Sequence, residues 1–347
     1  MPLNKSNILI AGGAGFIGSA LIEHIVARYP SYVIICFDCL SYCSQLKNIE
    51  PYLSDNVIFV KGDITNKIAL KSALVNYDIN VVINLAANTH VDLSLEIPFD
   101  FTNVNVIGTQ VILECLRERS VDLYLHMSTD EVYGDSYCNT SNAPLEPTNP
   151  YSASKAAADM FVHAYMKSFN LPAIFMRTNN VYGPRQFPEK LIPKTIMSLL
   201  RGSKVPLHGS GLNQRRYIHC TDLATAIDLI LHNGQIASVY NIGSETELSN
   251  IDVCRTIIKA MPSLSEQKLE DLIEFTKDRP YNDSRYFMNS SLIESLGWKP
   301  HVSFESGLAD TIAWYEANSS DWWGPITEYA LQAFPRYPSS LLHQNKI

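Results

Sequence analysis

The chain has 347 residues, 46% of them hydrophobic and 18% charged, which is enough apolar side chain for a sizeable core and too much for a disordered chain. With 27 Lys+Arg against 35 Asp+Glu, the net charge of −8 lacks the basic stripe of a nucleic-acid binder, so an anionic ligand would have to be met by local arginines. Seven cysteines, an odd number without paired CxxC motifs, argue for free thiols in a reducing compartment over a disulfide or zinc framework, and no apolar run of about 18 residues suggests a membrane span. The expectation is a cytoplasmic protein without a metal, bound to neither nucleic acid nor membrane. Residues 8–22, "ILIAGGAGFIGSALI", could pass for a signal peptide, but their four glycines disfavour a helical core.

Along the chain, short β-branched runs alternate with helix-length amphipathic stretches. "NILIAG" precedes 16–29, "VIICFD" follows, and "VIFVKGD" precedes 66–76. "VVINLAA" then precedes 98–119, and "LYLHMST" comes next. This alternation predicts an α/β fold with a Rossmann-type doubly wound parallel sheet. Pro150 opens a further helix over "YSASKAAADMFVHAYMKSF", and "LPAIFMRTNNVYG" reads as another strand. Past about residue 183 prolines accumulate and the pattern loosens. We therefore expect a dinucleotide-binding domain over 1–183 with returning segments near 212–245, a smaller interleaved C-terminal substrate-binding lobe over 184–324, and a tail, 325–347, of which the sequence says little.

The strand "NILIAG" runs into Gly12, Gly13, Gly15 and Gly18, readable as GxxGxxG or as GxGxxG. Either reading places backbone N–H groups and a helix N-terminus where a pyrophosphate can sit, although a tight turn alone would need the same glycines. Asp38 ends the next strand 20 residues after Gly18, the spacing at which an acid meets ribose hydroxyls; no arginine follows it, which favours NAD over NADP. Asp63 and Ile64, after the third strand, fit an adenine contact or a simple turn.

Tyr151 and Lys155 are four residues apart on the expected helix and share a face, as a catalytic pair or as an ordinary surface pair would. A lysine charge at roughly 4 Å and an effective dielectric of about 20 is worth about 4 kcal/mol before solvation. That would bring a tyrosine from about 10 toward neutrality, where it could act as a base.

These residues resemble the extended short-chain dehydrogenase/reductases that act on nucleotide sugars, and among them the nucleoside-diphosphate-glucose 4,6-dehydratases. The likeness spans roughly residues 7–324. It rests on the glycine turn, "LAANTHVD" at 85–92, "STDEVYG" at 128–134, "YSASK" at 151–155, "NNVYGPRQFPEKLIPK" at 179–194 and "RPYNDSRY" at 279–286; Ala11 stands where the family often has Thr. "DCLSYCSQLKNIE" is more similar to the eukaryotic-type UDP-glucose and dTDP-glucose enzymes than to the bacterial form.

The resemblance implies bound NAD, a nucleotide-sugar substrate, a rhamnose-type pathway and a homodimer built from the segments near 98–119 and 151–169. It implies cofactor contacts at Gly12, Gly15, Phe16, Ile17, Gly18, Asp38, Asp63, Ile64, Leu85, Ala86, Ala87, Tyr151, Lys155 and Asn180. It implies catalytic roles for Thr129 at the C4 oxygen, Asp130 as acid at the C6 hydroxyl, Glu131 as base at C5, and Tyr151 with Lys155. It places substrate contacts at His90, Asn179, Glu189, Lys190, Arg215, Arg279 and Asn282. Outside the motif, Asp130 and Glu131 could also be a loop cap or metal ligands, and His90 a structural hydrogen-bonder. Uracil and thymine differ by one methyl, which no motif here reads. UDP-glucose leads, with dTDP-glucose as the alternative; a non-catalytic NAD-responsive protein would be expected to have lost Tyr151 or Lys155.

Overall fold

The computed structural model describes residues 6–135, 140–264, 266–318, 322–338 and 341. The β-branched runs form strands β1 (Asn7–Ala11), β2 (Val33–Asp38), β3 (Val57–Lys61), β4 (Val81–Asn84), β5 (Leu123–Thr129) and β6 (Ala173–Thr178). After them come β7 (Asn180–Tyr182), β8 (Val205–His208), β9 (Gln214–His219), β10 (Val239–Ile242), β11 (Glu247–Ser249) and β12 (Ile273–Thr276). Seven strands build one sheet in the order β10-β6-β5-β4-β1-β2-β3, every neighbouring pair parallel.

Both faces of that sheet are covered, which is why its strands are apolar at successive positions. Ile8 and Ile10 point to one face, where Leu21, Ile22 and Ile25 of α1 (Phe16–Arg28) meet Leu223, Ile227 and Ile230 of a helix returning late in the chain. Leu9 and Ala11 point to the other. There they meet α2 (Lys67–Asn76), then, beyond α3 (Val91–Glu96), α4 (Pro98–Phe101) and a π-helical stretch (Thr102–Gly108), α5 (Thr109–Glu118) and α6 (Pro150–Phe169). Each such Leu or Ile, fully buried, contributes about 1.5–3 kcal/mol. The stretch 98–119 is thus three helical pieces. In the π-helical stretch the wider turn aims the Asn105 side chain at Ser154 Oγ of α6, 2.8 Å away.

The winding reverses between β1 and β4, opening a crevice at the carboxyl edge of the sheet. A second apolar cluster is formed by α7 (Leu191–Leu200), by α9 (Asn250–Ala260), which follows the returning helix α8 (Cys220–Asn233), by β8 and β9, and by the helix Phe304–Asn318. It overhangs that edge, with β11-β9-β7 and β12-β8 as small sheets. The residues after it double back: Trp323, Ile326, Ala330 and Tyr337 pack in one cluster with Tyr151 and Phe187. Among the described residues no helix is long and apolar enough to cross a membrane.

Candidate active site

Strand ends bring the chemistry to one cleft of about 430 Å³. Gly12, just past β1, has φ +77°, and a Cβ there would lie 2.8 Å from the Ala86 nitrogen; a Cβ on Gly18 would lie 2.3 Å from the Gly12 oxygen. The chain can only turn this tightly into α1 with glycine at both places. The first N–H groups of α1 have no side-chain cap, which leaves a positive helix end facing the cleft. Asp38, at the end of β2, accepts from the Ala14 nitrogen (3.0 Å), the Leu40 nitrogen (2.8 Å) and Ser44 Oγ (2.9 Å). Asp63 does both things open to it: its Oδ1 closes a turn on Thr65, and its side chain lies on the cleft wall. Phe16, Ile17, Ile64, Leu85, Ala86, Ala87 and Asn180 complete that wall with Gly12, Gly15 and Gly18. A glycine cradle, an open helix end and an acid at the second strand fit a dinucleotide.

Thr129 closes β5 and caps the 3-10 turn Asp130–Tyr133. Its Oγ1 accepts from the Glu131 nitrogen (3.3 Å) and donates to Asp130 Oδ1 (3.2 Å). The two acids then part. Glu131 lines the cleft and accepts from Asn149 Nδ2 (3.3 Å), whereas Asp130 is 3% exposed and turned behind the wall by Asn179 Nδ2 (2.8 Å). Burial, then the Glu131 charge, pushes the Asp130 carboxyl up to about 7. Burial also raises Glu131, against the pull of Lys190 and Arg215.

Tyr151 and Lys155 enter from the first turns of α6 and line the same cleft. The expected depression of the tyrosine is not found. Burial, followed by the Glu131 charge, holds the phenol above its ordinary value, opposed by the Thr129 hydroxyl. Lys155 Nζ is drawn to the Met127 carbonyl at 2.7 Å, and burial lowers it to about 8. Burial and the Glu131 charge set the phenol, while the lysine is spent on a backbone oxygen.

At the far end, His90 is 3% exposed, 3.6 Å from Asp92 and 3.9 Å from Glu189, with Nδ1 lacking a hydrogen-bond partner; burial keeps it neutral. Glu189 accepts from Tyr42 and Tyr337, each at 3.1 Å. Lys190 Nζ donates to the Thr89 carbonyl (2.6 Å). Arg215 Nη2 donates to Asn282 Oδ1 (3.3 Å) and its guanidinium lies 4.5 Å from the Tyr286 ring centre. Arg279, expected as a phosphate contact, is bidentate on Asp92 at 2.6 and 2.8 Å, so part of its charge is already answered. Except for Asp130 and Gly13, every candidate site residue named from the sequence lies on the cleft wall.

Sequence reasoning missed Asp92, Asn149, Tyr42 and Tyr337. Asn149 before Pro150 carried a readable helix-cap signal. The two tyrosines carried none, because each meets Glu189 from about 150 residues away.

Residues 9–311 match the family model described as GDP-mannose 4,6 dehydratase. The trifunctional UDP-glucose 4,6-dehydratase/UDP-4-keto-6-deoxy-D-glucose 3,5-epimerase/UDP-4-keto-L-rhamnose-reductase of Arabidopsis thaliana is 44% identical over 95% of this chain, which spans 50% of that protein's length. The dTDP-D-glucose 4,6-dehydratase of Mus musculus is 42% identical over 95% of this chain and 94% of its own. Among solved structures, the Bacillus anthracis dTDP-glucose 4,6-dehydratase in complex with NAD superposes with a TM-score of 0.83 at 41% identity, covering 92% of this chain and 99% of its own. The Streptomyces venezuelae dTDP-glucose 4,6-dehydratase with NAD bound gives 0.87 at 38% identity over 92% and 99%. With its sheet order, glycine cradle and cleft in place, this chain belongs to the GDP-mannose 4,6 dehydratase family.

Proposed function

We propose that the chain is an NAD-dependent nucleoside-diphosphate-glucose 4,6-dehydratase, acting on UDP-glucose to give UDP-4-keto-6-deoxyglucose in a rhamnose-type deoxysugar route. The observation that carries the reading is the split pair after β5: an acid near neutrality, Asp130, and a second carboxylate, Glu131, on the cleft wall beside Tyr151. A dehydration needs these two roles at once, a proton taken from C5 and a proton given to the C6 oxygen.

NAD, held by the glycine turn, Asp38 and the Tyr151–Lys155 pair, would supply a positive charge and the capacity to accept a hydride from C4 and give one to C6. The chain's own groups do the rest. Thr129 donates to the C4 oxygen, and Tyr151, once ionised with the help of Lys155 and of the positive charge that NAD would bring, takes the proton of the C4 hydroxyl. Lys155 positions the ribose. With C4 a carbonyl, the C5 proton is acidic and passes to Glu131, which returns a proton to C5 when C6 receives its hydrogen. Asp130 exchanges its Asn179 contact for the C6 hydroxyl and protonates it, so that water leaves. Lys190, Arg215 and Arg279 hold the diphosphate, Asn179 and Glu189 the sugar end, and Asn282 the nucleoside. In this division residues 1–183, with 212–245, hold the cofactor, 184–324 hold mainly the nucleotide sugar, and two copies pair through α4, α5 and α6, where Phe99 is 87% and Met160 53% exposed.

The second reading, the same chemistry on dTDP-glucose, is favoured by the mouse relative matched over nearly its whole length. Incubation with each nucleotide sugar separately, following the 4-keto product, tests both. Higher kcat/KM on UDP-glucose supports the first, higher kcat/KM on dTDP-glucose the second, and no 4-keto product from either contradicts the dehydratase reading.

A further inference from the structure

Beneath the Tyr151–Lys155 pair lies a buried polar chain to which the mechanism gives no role. Asp159 is one turn after Lys155 on α6 and 0% exposed. Its Oδ2 takes two bonds from Arg177 of β6, at 3.1 and 2.9 Å, and Arg177 Nη1 continues to the Tyr133 hydroxyl (2.8 Å). Its Oδ1 has no hydrogen bond and faces His126 Nε2 of β5 at 3.3 Å.

The neighbours fix the histidine tautomer. Asn84 Nδ2 donates to the Tyr124 hydroxyl (3.3 Å), so that hydroxyl spends its own proton on His126 Nδ1 (3.1 Å), and the imidazole proton is left on Nε2, toward Asp159. Asn84 Oδ1 in turn accepts from the Ala86 nitrogen (3.2 Å) on the cleft wall. A network of this kind, donating into one carboxylate, keeps it ionised although it is buried.

Lys155, by contrast, is 4% exposed and among the described residues holds a single neutral acceptor, the Met127 carbonyl. An ammonium so placed loses hydration that one carbonyl cannot replace. We propose that Asp159 is the positioning counter-charge of Lys155: pinned by Arg177 and His126, it keeps the lysine an ammonium under Tyr151. Burial lowers Lys155, and the Asp159 charge opposes that shift. Burial raises Asp159, and His126 and Arg177 more than reverse it. The titratable and charged groups facing the pair are Tyr124 and His126 from β5, Arg177 from β6, Tyr133 from the turn after β5, and Tyr151 from their own helix.

The inference rests on the reading of Lys155 as a working cation, but its test reads the lysine and not turnover. In ligand-free protein carrying 13C-lysine, the Lys155 Cε resonance, assigned by its loss in Lys155→Arg, is titrated with pH. Asp159→Asn is expected to move the midpoint down by about one pH unit, a tenfold loss of ammonium at a fixed alkaline pH, with Asp159→Glu restoring it. Because Asp159→Asn strands a buried arginine, the pair Asp159→Leu with Arg177→Met is titrated as well. It removes both charges together and is expected to shift the midpoint in the same direction by less. A midpoint unchanged or raised in these variants would reduce Asp159 to a structural partner of Arg177 and overturn the proposal. A parent protein that failed to dehydrate either nucleotide sugar would sink the proposed function and leave this result standing.

Discussion

Asp130 keeps its proton to near neutrality because burial and the adjacent Glu131 both penalise its charge. The protonated form is the one proposed to work, so its fraction falls about tenfold per pH unit above that value. We expect kcat for 6-deoxy product to decline as pH rises past about 7. Asp130→Asn should be slower by ~10²–10⁴-fold and should lose that alkaline limb, which a pH–rate series reads. A limb unchanged in the variant would move the titration to another group. At the other end of the cleft, Asp38 accepts from two backbone nitrogens and Ser44, and in the proposed cofactor site a 2′-phosphate would be pressed against its carboxylate. Calorimetric titration should show NAD bound more tightly than NADP, with the ratio narrowed in Asp38→Ala; tighter NADP binding by the parent would contradict the assignment. That residues from separate motifs gather at one cleft was legible in the sequence. Their protonation was not: the Tyr151 phenol is set by Glu131 and by burial, which depend on how β5 and α6 meet.

Helix α6 shows what an element adds to its residues. Asn149 Oδ1 accepts from the Ser152 nitrogen (2.9 Å) and the Asn149 nitrogen donates back to Ser152 Oγ (3.2 Å), a reciprocal cap with Pro150 at the first helical position. The same side chain donates to Glu131. The start of the helix that carries Tyr151 is therefore tied to the proposed C5 base. Asn149→Ala is expected to lose about 1 kcal/mol of stability, whereas Asn149→Ser keeps a capping oxygen and loses only the donor to Glu131. Chemical denaturation together with kcat should separate the two effects, with Ser close to parent in stability but reduced in rate. Equal rates in Ser and parent would remove Asn149 from the site. The position of α6 could be read from "NPYSASK". The breaking of 98–119 into α4, a π-helical stretch and α5 could not, because it answers to Asn105 meeting Ser154 across two helices.

For the whole molecule, the doubly wound sheet followed from the alternation of apolar runs and helices, a pattern that each segment carries in its own residues. The last described residues did not follow, since their partners are distant. Gln332 and Ala333 carbonyls accept from Lys194 (2.8 Å) and His208 (2.7 Å), Trp322 donates to Asn48 (3.1 Å), and Tyr337 reaches Glu189. They join the overhanging cluster to the loops of the main sheet. Elsewhere on the surface, α4 and α6 leave Phe99 and Met160 in solvent, a liability in a lone chain and an asset if two copies meet there. Light scattering should find a dimer that Phe99→Asp with Met160→Glu converts to monomer. A dimer unaffected by the double substitution would place the interface elsewhere.

The most direct test of the account is the fate of the C5 hydrogen in deuterated solvent with UDP-glucose, compared in parent, Glu131→Gln and Asp130→Asn. The parent should form 6-deoxy product with deuterium at C5. Glu131→Gln should form neither product nor C5-deuterated sugar, and Asp130→Asn should retain C5 exchange while releasing water slowly. Dehydration by Glu131→Gln at the parent rate, or C5 exchange lost in Asp130→Asn and kept in Glu131→Gln, would contradict the roles given to the two carboxylates.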